Sequence, residues 1–371
     1  MRTVLHIGSP KTGTTTLQRC LLASKKTLRA LGVLYPRPPG GEKTHAVLLR
    51  GLFHPEHMPR IERHRPADPR ARERFLDELG AEIAASRPAA LVLSYEGFFR
   101  LLPTAALPTI RRQLESFGTK EITIAAYLRR PSEYYLSALQ QSLKASATPK
   151  PPATENLRAV LEPYGDVFGE QSLRVRRFHR ESLEEGDIIS DFVRNFLPEA
   201  APARAELAKP GRVNESMSAE AMDILRRYRQ NFHPDEDGVF RRGSTRLHRQ
   251  LSELDRHLGL PRPRLRPDVA EAIDHQAVDL PWLRERHGVE FRGIDYGKIA
   301  PPPPVTAITH QLEDLVVIDP EARRALVEAL AASPWATEFP WRDLLRLVAG
   351  GASRRSWVAR LAAEFAHGGR R

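Results

Sequence analysis

The sequence predicts an α/β fold: a parallel β-sheet flanked by helices, with a helical C-terminal extension. Three stretches carry that expectation. A short apolar run (Val4, Leu5, Ile7) breaks at Gly8, and after a glycine-containing loop the apolar spacing turns helical at Leu17, Leu21 and Leu22. Two further runs, 89–94 and 122–127, read as buried parallel strands, and each delivers polar residues where it ends, Glu96 after the first and Arg129 after the second.

The first stretch is strand, phosphate loop, helix, which makes the expected sheet one of phosphate-loop (P-loop) type. Gly8 and Gly13 let the backbone turn tightly, so that amides from Thr12 to Thr16 converge at a helix N-terminus. An oxyanion there meets aligned N–H donors, the helix dipole, the Lys11 ammonium and the hydroxyls of Thr14, Thr15 and Thr16. The common nucleotide loop reads G-x-x-x-x-G-K-[ST]; here Thr14 stands where that pattern has its lysine, and the lysine is Lys11, inside the loop. In nucleoside triphosphate enzymes the lysine after the second glycine reaches the β/γ-phosphates and the next hydroxyl holds Mg²⁺. Moving it argues for a different donor.

Pro10-Lys11-Thr12-Gly13-Thr14-Thr15 resembles the 5′-phosphosulfate loop of sulfotransferases that use 3′-phosphoadenosine 5′-phosphosulfate (PAPS). A second stretch, Arg129-Arg130-Pro131 with Ser137 eight residues after Arg129, resembles the 3′-phosphate signature of the same family. An arginine at a strand end and a hydroxyl on the next helix can both bond a 3′-phosphate that ordinary nucleotides lack. Where the family usually carries Asp or Asn, this chain has Arg130, so either arginine could contact that phosphate; the spacing favours Arg129. The resemblance covers about residues 1–230 and is nearest to bacterial, carbohydrate-type sulfotransferases. It implies a catalytic domain at 1–260 and leaves 261–371 as a mostly helical region of unassigned role.

The same resemblance implies the catalytic roles. In glycan sulfotransferases of this kind a glutamate in an aromatic-rich segment after the third strand is the base, and Glu96-Gly97-Phe98-Phe99 looks like that element. Its plain alternative is a helix-capping carboxylate. A histidine often follows the loop after the first helix in the resembling bacterial proteins, which makes His45, at the start of an expected helix to Leu52, the rival base; the other reading is a partly exposed helix-start histidine. Lys11 is expected to stabilise the bridging oxygen as the S–O bond breaks, and no metal is required. The acceptor implied is a hydroxyl on a carbohydrate, polysaccharide or glycolipid. Two readings from other classes stay open: an atypical P-loop nucleotide kinase, which would need Mg²⁺, and a non-catalytic nucleotide- or glycan-binding module.

Composition bounds the rest. The net charge of +11 suits an anionic cofactor and an anionic acceptor, and equally reflects an arginine-rich composition; no zinc spacing and no nucleic-acid motif is present, so nucleic acid is not an expected partner. No run reaches the roughly 18 apolar residues of a membrane span. The first strand begins at residue 3, and the single cysteine, Cys20, rules out an internal disulfide, so a cytoplasmic protein is expected, with Cys20 packed in the first helix.

Further along, a short extended piece is expected at 31–36, a Pro/Gly loop at 37–41, a surface loop at 54–70 and a helix at 71–85 with Phe75, Leu76, Leu79, Ile83 and Ala84 on one face. The helix after Arg130 should run to about 145, a Pro/Lys-rich flap span 146–154, a helix occupy 155–162, a strand 172–178 and a helix 187–196. Asn214 and Ser216 could contact the cofactor, though helix capping is the simpler reading. Helices are expected at 217–232, 239–258, 267–287 and 320–332, with a stiff proline connector at 301–304. The segment 353–368 sets Trp357, Leu361 and Phe365 at helical spacing beside Arg354, Arg355 and Arg360, a face for docking on the core, on a partner or on the anionic inner face of a membrane.

Overall fold

A computed structural model describes residues 1–38, 42–52, 70–152, 156–208, 216–301 and 311–333. Most of the loop expected at 54–70, the ends of the loops at 37–41 and 146–154, Asn214, the prolines after Pro301 and the C-terminal helix at 353–368 lie outside the described residues. The chain forms two compact units. The first comprises Met1–Arg130, Glu155–Val213 and Ala277–Ala300, the second Pro131–Thr154, Asn214–Gln276 and Pro301–Arg371. The linear cut at residue 260 expected from the sequence is therefore replaced by an interleaved one, because Leu280, Leu283, Val289 and Phe291 are buried in the core of the sheet-bearing unit.

That first unit is built on a five-stranded sheet in which every pairing is parallel, in the order β2-β3-β1-β4-β5. The strands are β1 (Arg2–His6), β2 (Val33–Leu34), β3 (Ala90–Ser94), β4 (Glu121–Leu128) and β5 (Leu173–Arg177). Side chains alternate between the two faces of the central strand. Val4 joins a cluster with Leu17, Leu21, Phe192 and Phe196, from helices α1 (Thr14–Ala23) and α7 (Ile188–Phe196). The short helix α2 (Lys25–Ala30) adds Leu28 on that side.

Leu5 and Ile7 join the opposite cluster with Phe75, Leu79, Ile110 and Leu161. Those residues come from α3 (Ala71–Ser86), α4 (Ala106–Ser116) and α6 (Leu157–Phe168). On α3, Phe75, Leu76 and Leu79 are buried as expected, whereas Ala84 is exposed. α6 runs past Pro163 to Phe168, six residues beyond the end read from sequence. A proline inside a helix costs about 3 kcal/mol, and here tertiary packing outweighs it: Tyr164 and Phe168 are buried in the core, and the Tyr164 hydroxyl donates to the Phe98 carbonyl at 2.7 Å.

A buried polar knot ties β4 and β5 to α7. The Tyr127 hydroxyl donates to Asp191 Oδ2 at 2.8 Å, and Arg176 donates through Nε and Nη2 to the two oxygens of the same carboxylate at 2.8 and 2.7 Å. Burial, reinforced by the Asp191 charge, pushes the Tyr127 hydroxyl well above its usual range, so it stays a donor. Tyr127→Phe is expected to cost about 2 kcal/mol, the worth of a hydrogen bond to a charged group, read as a lower urea midpoint with unchanged slope.

The second unit is helical. It contains α5 (Pro131–Leu143), α8 (Ala219–Phe232), α9 (Arg242–His257), α10 (Pro267–His275), α12 (Leu312–Leu315) and α13 (Pro320–Ala332). Its core gathers Tyr135, Leu139, Met222, Leu225, Leu247, Leu251 and Leu326. The single helix expected at 267–287 is instead α10 and α11 (Leu280–His287), one in each unit. Pro281 supplies the reason: its ring crowds the carbonyl four residues back and it has no N–H, so it costs least in the first turn of a new helix, where it stands after Leu280.

Candidate functional site

The C-terminal ends of three neighbouring strands hold the residues singled out from sequence. His6, ending β1, pairs in register with Ser94, ending β3, and with Ala125 of β4, which runs on to Leu128. From β1 the chain goes to β2 and β3 on one side of the sheet, then to β4 and β5 on the other. The ends of β1 and β4 therefore border a topological switch point, where open α/β sheets place their ligands.

The loop leaving β1 has three left-handed residues in quick succession: Gly8 at φ +47°, Lys11 at +68° and Gly13 at +77°. Gly13 is the N-cap of α1, whose start has no side-chain cap and no acidic residue in its first turn. The amides of that turn have no acceptor within the helix, so the loop presents bare donors. Both glycines are fixed twice, by backbone angle and by space: a Cβ on Gly8 would lie 2.9 Å from Thr14 Oγ1, and one on Gly13 would lie 3.1 Å from Phe178 Cε2. A lysine in the left-handed region is unusual and costs on the order of 1–3 kcal/mol. The loop is held in that shape by Thr12, whose hydroxyl donates to the Ser9 carbonyl at 2.5 Å, and by Arg129, whose Nη1 donates to the Lys11 carbonyl at 3.4 Å.

The loop residues divide by exposure. Thr12 is buried and its hydroxyl is engaged inside the loop; Thr15 is exposed; Pro10, Lys11, Gly13 and Thr16 are half-buried. Thr14 is 3% exposed and its Oγ1 has no hydrogen-bond partner. An orphaned hydroxyl at the first position of α1, beside uncapped amides, fits an oxyanion.

Glu96 opens a 3₁₀ turn, Glu96–Phe98, straight after β3 and is exposed. The turn is locked by a close approach: a Cβ on Gly97 would sit 2.2 Å from Tyr95 Cε1, so only glycine passes beneath that ring. Three charges meet around Lys11. Burial pushes its ammonium below the usual range, the Glu96 carboxylate pulls it back up, and the Arg129 guanidinium pushes it down again. The structure thus brings Lys11, Glu96 and Arg129 within electrostatic reach of one another.

The two arginines after β4 are distinguished by their partners. Arg129 reaches the loop after β1, with its Cζ 5.9 Å from the Phe178 ring that also backs Gly13. Arg130 instead donates to the carbonyls of Arg292 at 3.1 Å and Gly293 at 3.4 Å. Of the two, Arg129 is therefore the one that lies against the loop after β1. Ser137 is half-buried on α5 and belongs to the second unit, where the first turn of α5 is capped by Asp274: Oδ1 accepts from the Ser132 amide and Oδ2 from its hydroxyl, both at 2.9 Å.

His45 is corrected. It is fully buried, not partly exposed, and precedes a single 3₁₀ turn, Ala46–Leu49, in place of a helix. The Ser94 amide donates to its Nδ1 at 3.0 Å, so Nε2 carries the proton and donates to the Pro36 carbonyl at 3.0 Å. Burial holds its pKa at about 4. With both nitrogens engaged by backbone groups it cannot accept a proton from a substrate, and its work is to fasten the end of β3.

Two features at this site were not anticipated. One is Phe178, which follows β5 and joins Gly13 to Arg129. The other is a buried polar line beneath the loop made by Gln18, Ser94 and His6. The signal for the second was present as a histidine set between the apolar residues Leu5 and Ile7. No group of His, Cys, Asp or Glu suited to hold a metal ion occurs among the described residues, and none of their helices is long and apolar enough to cross a membrane. Comparison of the chain with protein-family models, curated proteins and solved structures finds no match.

Proposed function

We propose that the protein is a PAPS-dependent sulfotransferase, with a P-loop-type sheet, that moves a sulfuryl group to an acceptor hydroxyl, on a carbohydrate or glycoconjugate. The single observation that supports this reading is the loop from Gly8 to Gly13, which leads into the uncapped first turn of α1 and carries Lys11 within electrostatic reach of Glu96 and Arg129. Its lysine lies inside the loop, as in the phosphosulfate loop it resembles and unlike the loop of nucleotide kinases.

In this reading the amides and hydroxyls of Thr14, Thr15 and Thr16, with Lys11, hold the 5′-phosphosulfate, framed by Pro10, Thr12 and Gly13. Arg129 holds the 3′-phosphate; the part of Ser137 rests on its sequence spacing from Arg129 alone. PAPS would supply an activated sulfuryl group. Glu96 accepts the proton of the acceptor hydroxyl, which its exposed position allows. Lys11 stabilises charge on the departing oxygen, and its lowered pKa reflects an ammonium stripped of much of its water, which strengthens that interaction.

Calorimetric titration with 3′-phosphoadenosine 5′-phosphate against ADP, without added metal, tests the reading. Binding of the 3′-phosphorylated nucleotide alone, weakened by Arg129→Ala about tenfold or more as for a lost charged hydrogen bond, is the expected result. Equal binding of both nucleotides, or ADP binding only with Mg²⁺, would refute it and favour a kinase.

A second test concerns the base. Gly97→Ala must displace the Tyr95 ring and with it the turn that presents Glu96. Turnover should fall about a hundredfold, the usual consequence of an ångström of misplacement, while nucleotide affinity holds. Unchanged turnover would remove Glu96 from the reaction.

A further inference from the structure

Beneath the phosphate loop lies a line of buried hydrogen bonds whose direction can be worked out. Gln18 Nε2 donates to Ser94 Oγ at 3.1 Å, and Ser94 Oγ lies 2.8 Å from His6 Nδ1. Ser94 and His6 are fully buried and Gln18 is 4% exposed, so each polar hydrogen needs an acceptor. If His6 Nδ1 carried the proton, it and Gln18 would both donate to Ser94 and the serine proton would have nowhere to go, at a cost of about 1–3 kcal/mol. With Ser94 donating to Nδ1 instead, Gln18, Ser94 and Nδ1 are all paired, and the one proton left over lies at the end of the line, on the ring's other nitrogen, where a further group can accept it. The imidazole proton then sits on Nε2.

Nε2 has no hydrogen-bond partner, and neither has Thr14 Oγ1. Both side chains border one spot beside Gly8: a Cβ placed there would lie 2.9 Å from Thr14 Oγ1 and 3.2 Å from His6 Cε1, the ring carbon between the two nitrogens. One is a donor with no acceptor; the other is a hydroxyl at the first position of the helix that the loop opens.

We infer that His6 is a positioning residue for the phosphate loop: when an oxyanion is bound, its Nε2–H donates to Thr14 Oγ1 and so turns the Thr14 proton outward onto the anion. The line then runs in one sense from Gln18 through Ser94, His6 and Thr14 to the ligand oxygen. A hydroxyl held this way can only donate. It favours an oxygen that carries no proton at neutral pH, such as a sulfuryl oxygen, over one that must itself donate. The inference rests on the reading of the loop as an oxyanion site.

The test is nitrogen-detected NMR of the full chain labelled at its histidine rings, with His6 assigned by His6→Asn, titrated with sodium sulfate and separately with 3′-phosphoadenosine 5′-phosphate. The free protein should show His6 as the Nε2–H tautomer. Its Nε2 proton should move downfield with either anion, and Thr14→Val should abolish that movement. His6→Asn, which keeps the contact to Ser94 but lacks the second nitrogen, should weaken nucleotide binding about tenfold, and His6→Gln should recover most of it. If His6→Asn does not fold, the Thr14→Val comparison still decides, with His6 assigned by elimination against the other histidines.

An Nδ1–H tautomer, or an Nε2 proton that stays still at saturation, overturns the inference. Movement with sulfate but no binding of the nucleotide keeps the inference and removes the sulfotransferase reading. Nucleotide binding with His6 unmoved does the reverse. If neither anion binds, both fall.

Discussion

Under the proposed sulfotransferase function, replacing Lys11 by glycine is expected to lower sulfuryl transfer by a factor of about 10²–10³, the range for removing one preorganised donor from a developing negative charge. Glycine is the informative choice because Lys11 sits at φ +68°, a conformation that glycine takes without strain. The ammonium is lost and the turn is kept. Lys11→Ala removes the same charge but keeps a Cβ in the left-handed region, so a comparison of the two separates chemistry from backbone shape. Because the proposal places Lys11 at the departing oxygen, turnover should fall more than affinity for 3′-phosphoadenosine 5′-phosphate, which has no sulfuryl group to lose. Single-turnover kinetics beside calorimetry makes the comparison. Full activity in Lys11→Gly would mean that the loop binds an anion without taking part in its chemistry.

The second large effect is acid lability of the sheet-bearing unit. His6 and His45 are each fully buried, and burial holds both at about pKa 4, against 6.5 for a free imidazole. Below about pH 6.5 the unfolded chain takes up these two protons while the folded chain refuses them until about pH 4. Stability is therefore complete above pH 6.5 and falls as the pH drops toward 4, by about 3 kcal/mol for each histidine over that window. Urea midpoints for the sheet transition, followed by amide exchange in β1 and β3 at pH 7.5, 6.0 and 5.0, measure the slope. Replacing His45 with glutamine should remove one proton from that slope even though the variant starts from a lower stability. A flat wild-type profile between pH 6.5 and 5 would show that these rings are hydrated.

Much of this was legible from residue order, for identifiable reasons. The strand, loop and first helix could be read because glycine spacing and a switch of apolar period are local signals, and so could the strands that deliver Glu96 and Arg129. What could not be read depends on distant partners. His45 looks surface-bound until the Pro36 carbonyl and the Ser94 amide are brought to its ring. The helix through Pro163 survives because Tyr164 and Phe168 find the core. The break at Pro281 was signalled by the proline itself, but the apolar spacing on either side of it masked the signal. The helix Ala106–Ser116 was not anticipated at all, although Ala106, Leu107, Ile110 and Leu114 are buried along it.

The order in which the chain is made acquires meaning from the interleaved units. Val289 and Phe291 belong to the same core as Leu5 and Leu93, yet they leave the ribosome nearly two hundred residues after Ser94. Until then the nascent sheet carries an uncovered apolar surface, and a fragment ending near residue 260 would carry it permanently. Such a fragment should stick to chaperones or to itself rather than fold as a stable unit. Expression of the isolated sheet-bearing unit therefore needs the segment Ala277–Ala300 supplied, in the same chain or as a second polypeptide.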